Sequence, residues 1–322
     1  MALADQLTLV ELAKRTNNKQ MLDIAEVIDK KVPMLRDAPW LEANQLTGHV
    51  INRRTYLPTG IFRGVNQGVP KSASQTKQVT EPIGLLEDRS EVDEYLIDLA
   101  PEPKEFRYEE DIAHVEGLAQ TMGDAILYAA LSTDPLKFDG LSTRYNALTL
   151  ANVWDNGDAT ADEVTSAYFV QWGKRKVHFV YPRNLMNQFI KMVDLGKQLV
   201  EDGITAGNKF VALVTQFKFN MGLALWDEHC FQRIANIGTG VSKPFDIDLG
   251  IQALNEMPDE GNGSVLYVNT TVKSQLEIAA KNGADAILRW VKVDGVGDVL
   301  YFKNAPIRVH EKIKNTEAVV TE

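Results

Sequence analysis

A single cysteine, Cys230, stands in 322 residues, so the chain can form no internal disulfide and no cysteine-based zinc site. Long apolar runs are missing too. None approaches the ~20 residues that a helix needs to cross a bilayer, so no membrane partner is expected. The opening Met1-Ala2-Leu3-Ala4-Asp5-Gln6 has neither the basic start nor the apolar stretch of a secretion signal, and an unsecreted, intracellular origin is expected. Positive charge is in short supply. Lys and Arg total 34 against 44 Asp and Glu, a net charge of −10. That balance argues against a nucleic-acid binder, because neutralising phosphates requires a basic face. What remains, 44% hydrophobic and 24% charged, is the composition of a folded protein of one large or two ordinary domains.

Motifs that carry chemistry are equally scarce. Asp227-Glu228-His229-Cys230 gathers four possible metal ligands, but on a strand their side chains alternate between faces, and no second cluster completes a site. A structural strand with Cys230 as a small buried hydrophobe is the expectation there. Gly238-Thr239-Gly240 with Lys243, and Gly295-Val296-Gly297, lack the spacing of phosphate or dinucleotide loops and read as turns. His49, His114, His178, His229 and His310 are scattered, with no nucleophile elbow, zincin motif or carboxylate pair beside them. No catalytic residue, cofactor or metal is expected, and the protein is read as no enzyme.

Short amphipathic helices are expected at Thr8–Arg15 and around Met21–Ile28, each too short to stand alone. His49–Leu57 and Gln75–Glu81 read as extended, and seven of the 17 residues from Pro58 to Ser74 are turn formers, which together describe a long two-stranded arm with a loose tip. A lone hairpin is marginal in water, so neighbouring molecules are expected to hold it. After Pro101 and Pro103, Ile112, Val115, Ala119, Met122, Ile126 and Ala129 form one apolar stripe, predicting a spine helix from about Phe106 to Leu131, ~39 Å long. The rest alternates in α+β style. Strands are expected at Tyr168–Trp172, Val177–Tyr181, Phe210–Phe219, Leu223–Ile237, Ser264–Val268, Val299–Phe302 and Ile307–Val309, with a helix at Thr271–Asn282 and a break at Asn220-Met221-Gly222.

Charge is segregated along this plan. From Asn52 to Gln78 the charged residues are Arg53, Arg54, Arg63, Lys71 and Lys77, with no acid. From Glu81 to Glu116, 13 acids face three bases, and they include Glu91, Asp93, Glu94, Glu109, Glu110 and Asp111. The expectation is that the basic arm of one subunit lies across the acidic base and spine of the next.

The order of these features, and several strings, resemble the major capsid protein of tailed bacteriophages, in particular one podophage-type capsid family. The strings are Met1-Ala2-Leu3 with Asp5–Val10 and Ala13-Lys14-Arg15, Leu46–His49, Phe138–Leu141, Gly222-Leu223 with Asp227, Arg233–Ile237, Tyr267–Val272 and Ala305–Arg308. The resemblance implies the HK97-like, or Hong-Kong-type, capsid fold, an α+β architecture. It would divide into an N-terminal arm (1–47), an extended E-loop (48–100), a P-domain with the spine helix (101–150), and an A-domain with returning P-domain strands (151–322). Blocks after residue 150 come in the reverse of the founding order, so permuted connectivity is an open alternative. The implied function is a structural one: self-assembly of pentamers and hexamers into an icosahedral shell, built in the bacterial host cytoplasm, with packaged DNA held by proximity only. A portal, a decoration protein and a separate scaffolding protein, or no scaffold, are the implied partners. The rivals are an encapsulin-like nanocompartment and an α+β enzyme with an unrecognised site. Covalent cross-linking through Lys71 or Lys77 is not expected, and neither is removal of the N-terminus.

Overall fold

A computed structural model describes residues 32–184, 190–202, 207–240, 242–283, 287–293 and 297–322. The two helices expected before Ile28, and Gly295-Val296, lie outside the described residues. Helix α1 (Pro33–Asp37) buries Met34 and Leu35, and β1 (Trp40–Glu42) follows. Strands β2 (Gly48–Tyr56) and β3 (Gln75–Pro82) pair antiparallel and, among the described residues, join no other strand, so the expected arm is present as a two-stranded ribbon. Next comes β4 (Gly84–Asp93), whose Asp93 caps α2 (Glu94–Leu99) by accepting a bond from the Tyr95 amide at 2.8 Å.

The spine helix α3 spans Pro103–Tyr128, starting and ending three residues earlier than the stripe suggests. Proline is favoured at the first helical position, where its missing N–H is harmless, and this sets the start. At the other end Ala129 turns extended and its carbonyl accepts from the Gly140 amide at 2.8 Å, so the chain leaves the axis before Asp134-Pro135. Val115, Ala119, Met122 and Ile126 are buried as the pattern requires.

The remaining elements are α4 (Leu141–Arg144), β5 (Val153–Asp155), β6 (Val164–Gln171), β7 (Val177–Tyr181), β8 (Ile190–Glu201), β9 (Lys209–Leu225), β10 (Phe231–Gly238), α5 (Ile247–Asn255), β11 (Ser264–Val268), α6 (Thr270–Lys281), β12 (Leu288–Val293), β13 (Gly297–Phe302) and β14 (Ala305–Val309). One sheet runs β1-β7-β9-β4 with β8 also on β9, and the other runs β12-β13-β14-β11-β6-β10-β5. Two sequence expectations are corrected here. Strand β9 continues through Asn220-Met221-Gly222, because Gly222 serves a close approach rather than a turn: a Cβ there would lie 2.7 Å from the Pro82 carbonyl oxygen. The break falls at Asp227–Cys230 instead, which form a 3₁₀ turn and not a strand, with the Asp227 carboxylate accepting from the His229 amide at 3.0 Å.

Two cores share the seven-stranded sheet. On one face, Tyr168, Val170 and Tyr267 pack with the spine (Val115, Met122, Ile126) and with Phe217, Phe219 and Met221 of β9. On the other, Ala167, Phe169, Ile234 and Leu266 pack with Leu254 of α5 and with Val272 and Leu276 of α6. Buried on both sides, β6 and β10 have no exposed position, and the polar residues they carry, Thr165, Ser166, Gln171, Gln232, Arg233 and Asn236, are buried with them. A buried ionic knot joins the C-terminal segment to this frame. Glu317 accepts from Arg233 at 2.9 Å, from Ser166, and from the Tyr128 hydroxyl of the spine.

Candidate assembly surface

The arm meets the body along one face of β2. His49, Ile51 and Arg53 alternate, so all three point the same way. Ile51 is fully buried in a small cluster with Ala43, Ile83, Val180 and Ala224. Outward from it, the Arg53 guanidinium donates to the Leu225 carbonyl at 3.0 Å, to the Glu81 carboxylate at 3.3 Å and to Glu228. Glu81, on β3, is only 3% exposed and also takes a two-pronged contact from Arg144 at 2.8 and 2.7 Å. Arg144 is oriented in turn by the Asp139 carbonyl at 2.8 Å. Inward from Ile51, the His49 ring meets His178 of β7 edge-on at 5.8 Å. His178 is 1% exposed, and its ring has only the backbone of Lys176 and Gly173 to favour its charged form. Burial, and after it the neighbouring His49, depress its pKa to about 4, so it is neutral near pH 7.

Arg53, expected to be an inter-subunit residue, bonds within its own subunit to Leu225, Glu81 and Glu228. Arg144, Glu228 and His178, which pair in the root with Glu81, Arg53 and His49 respectively, carry no signal in the sequence; Arg144 lies 63 residues from Glu81 and no local pattern links them.

Beyond the root nothing in the described subunit covers the arm. Every residue from Arg54 to Gln78 is exposed, including Arg54, Arg63, Lys71 and Lys77. Leu57, Ile61, Phe62, Val65 and Val69 are exposed with them, and Phe62 completely so.

The acidic residues divide. Asp111 is buried against the sheet, its carboxylate 3.3 Å from the Thr215 hydroxyl and its pKa raised chiefly by burial, so it is removed from the expected partner surface. Glu91 pairs with Arg89 at 3.2 Å, Glu94 pairs with Lys197, and Asp93 caps α2. Glu109 and Glu110 are exposed on the spine, Glu110 lying 3.7 Å from His114. Among the described residues no group of three or more ligands could hold a metal ion, and none of their helices is long and apolar enough to cross a membrane.

A projecting ribbon, a 26-residue spine and two sheets over two cores are parts of a building block. The family model of the major capsid protein GP7 matches residues 16–321. The chain belongs to this family. Its fold is HK97-like, as the sequence implied. The capsid protein is similar over 100% of both chains to a structure of bacteriophage Epsilon15, at 22% identity and a TM-score of 0.66. Weaker likenesses are to the capsid of bacteriophage JBD30 (10% identity, 87% and 90% covered, TM-score 0.47) and to a holo-encapsulin complex from Synechococcus elongatus (9% identity, 64% and 87% covered, TM-score 0.42). No curated protein matches the chain. As a major capsid protein it is a structural component of the virion capsid and assembles into the capsid lattice.

Proposed function

We propose that this capsid protein closes an icosahedral shell of pentamers and hexamers around packaged double-stranded DNA, each subunit tied to its neighbours by its arm. The observation that carries this reading is the unbroken exposure of Arg54–Gln78. A ribbon with that much exposed apolar surface and no support beyond its root requires other molecules to cover it. In the domain scheme of this reading, α3 and the sheet built on β9 form the peripheral P-domain, and the seven-stranded sheet with α5 and α6 forms the A-domain at capsomer centres. DNA is held by proximity only, since a chain of net charge −10 offers phosphate little grip. A portal, a decoration protein and a separate scaffolding protein, or no scaffold, complete the reading.

Charge steers the contact between subunits. With Arg53 spent on the root, Arg54, Arg63, Lys71 and Lys77 remain to meet Glu91, Asp93, Glu94, Glu109 and Glu110 of the next subunit. Each exposed pair contributes only ~0–1 kcal/mol, but a lattice repeats it at every subunit and thereby sets partner and register. Negative-stain imaging and sedimentation of the protein expressed with its genomic neighbours test the shell, and an absence of particles overturns it. Replacing Arg54 and Lys77 with Glu tests the steering: shell yield should fall, most steeply at low salt, since charges are screened beyond ~8 Å near physiological ionic strength. Undiminished yield with unchanged salt dependence would leave the arm held by apolar contacts alone.

A further inference from the structure

The arm crosses its own body on three contacts in a row. Arg53 ends the row on the Leu225 carbonyl, Ile51 fills its middle with Val180 and Ala224, and His49 closes it on His178. His178 and Val180 alternate along β7 and so present one face to the arm, and Ala224 of β9 stands opposite His178 in register. Ile51 has no proton to gain, and arginine stays charged at any pH a protein survives. Imidazole is the side chain that ordinarily titrates near neutrality. The row seats both rings neutral. Nδ1 of half-buried His49 accepts from the Asn44 amide at 3.3 Å, which a protonated nitrogen cannot do. Burial disfavours charge on His49. Its cross-strand partner Glu81 favours charge there, but Arg53 and Arg144 already share that carboxylate. On His178 the backbone of Lys176 and Gly173 favours the charged form, against burial and the second ring 5.8 Å away. Glu228, of the 3₁₀ turn, is occupied by Arg53. Two imidazolium rings that close, one of them shut off from water, repel strongly.

We propose that the His49–His178 pair is an acid-operated latch, which seats the arm on its own body near neutral pH and on proton uptake releases the root while the body stays folded. The latch belongs to the single subunit and operates whether or not shells close. Release is a smaller event than unfolding, because it uncovers the little cluster around Ile51 and leaves both large cores intact. Once off the body, the ribbon is a lone two-stranded hairpin, marginal in water, and its amides lose their protection. The open root binds more protons than the closed one, so falling pH favours it. His310 also gains a proton in acid, but it is wholly buried, with its amide on the Val268 carbonyl, and is reached only when the body itself opens.

Hydrogen exchange of the unassembled subunit, followed by mass spectrometry and corrected for the chemical rate at each pH, reads root and body separately. Burial holds the His178 pKa at about 4 in the closed root, against the ordinary 6.5 when released. Protection of Gly48–Ile51 and Val79–Glu81 should therefore fall about twentyfold between about pH 7 and about pH 5. Strand β6, which only unfolding of the body exposes, should stay protected through the same labelling. His178→Phe fills the place with a ring that takes no proton and should keep the root closed at the lower pH. His178→Gln, smaller and polar but equally unable to charge, covers the case in which Phe does not fit. Root protection that is the same at both pH values in the native chain overturns the latch. So does a root that loses protection in step with β6, since acid would then act on the whole fold. A twentyfold fall that persists in the folded His178 variants overturns it as well, by placing the responsible proton elsewhere.

Discussion

Glu81 is buried beneath two guanidinium groups, and replacing it with Gln would leave Arg53 and Arg144 facing each other with no negative charge between them. Breaking a buried ion pair by removing one partner costs ~3–5 kcal/mol. Because both arginines keep carbonyl acceptors (Leu225, Asp139 and Leu223), the lower end is expected, about 3 kcal/mol, read as a shifted urea midpoint of the unassembled subunit. Glu317→Gln should cost a comparable amount at Arg233, which is almost wholly buried. Limited proteolysis should separate the two: Glu81→Gln hastens cleavage in the arm, and Glu317→Gln does not. The histidines add a pH dependence of definite sign. Burial lowers the pKa of His178 and His310 from the ordinary 6.5 to about 4 in the folded chain. Between those values the unfolded chain binds more protons, so the stability they permit is intact above pH 6.5 and is lost as pH falls toward 4, by up to about 3 kcal/mol each. The raised pKa of Asp111 works against this, since its neutral form is favoured in the fold. Urea midpoints at about pH 7 and about pH 4.5 check the net effect, and His178→Phe with His310→Leu should flatten it.

Among the elements, those with a local signature are legible in the sequence alone. The spine declares itself by a stripe that needs only its own residues, and the arm by turn formers and one-signed charge flanked by extended runs. β9 is only half legible, because Gly222 looks like punctuation until Pro82 and Val180 are placed against it. Gly222→Ala is expected to destabilise the subunit by ~1–3 kcal/mol through overpacking, seen as a lower melting temperature. β8 escapes sequence reading altogether. Its side chains are polar and apolar by turns without a clean period, and the strand owes its form to pairing with β9 across eleven register positions, from Ile190↔Phe219 to Glu201↔Lys209. The candidate surface divides in the same way. Its exposed basic residues can be read from sequence, whereas Arg144, Glu228 and His178 become root residues only when distant segments meet, and burial alone disqualifies Asp111.

For the whole molecule, the decisive arrangement is a sheet whose strands feed both cores. On β6, Tyr168 and Val170 enter one while Ala167 and Phe169 enter the other, so neither core can melt without stripping the strand that supports its partner. The unassembled subunit is therefore expected to unfold in one calorimetric transition. Val170→Ala and Phe169→Leu, on opposite faces, should lower that same transition rather than split it; two resolved peaks would show the cores to be independent. The root of the arm has a consequence in time. The Leu225 carbonyl that receives Arg53 is made 172 residues later in the chain. At ordinary translation speeds that is about 10–30 s, during which the ribbon lacks its anchor on Leu225 and Glu228. Throughout that interval its tip is as apolar and as basic as it will be in the finished subunit, and neighbouring ribosomes on one message display identical tips. Lesions at the root should therefore register first as protein lost to aggregation during synthesis, before any defect in the shell can be counted.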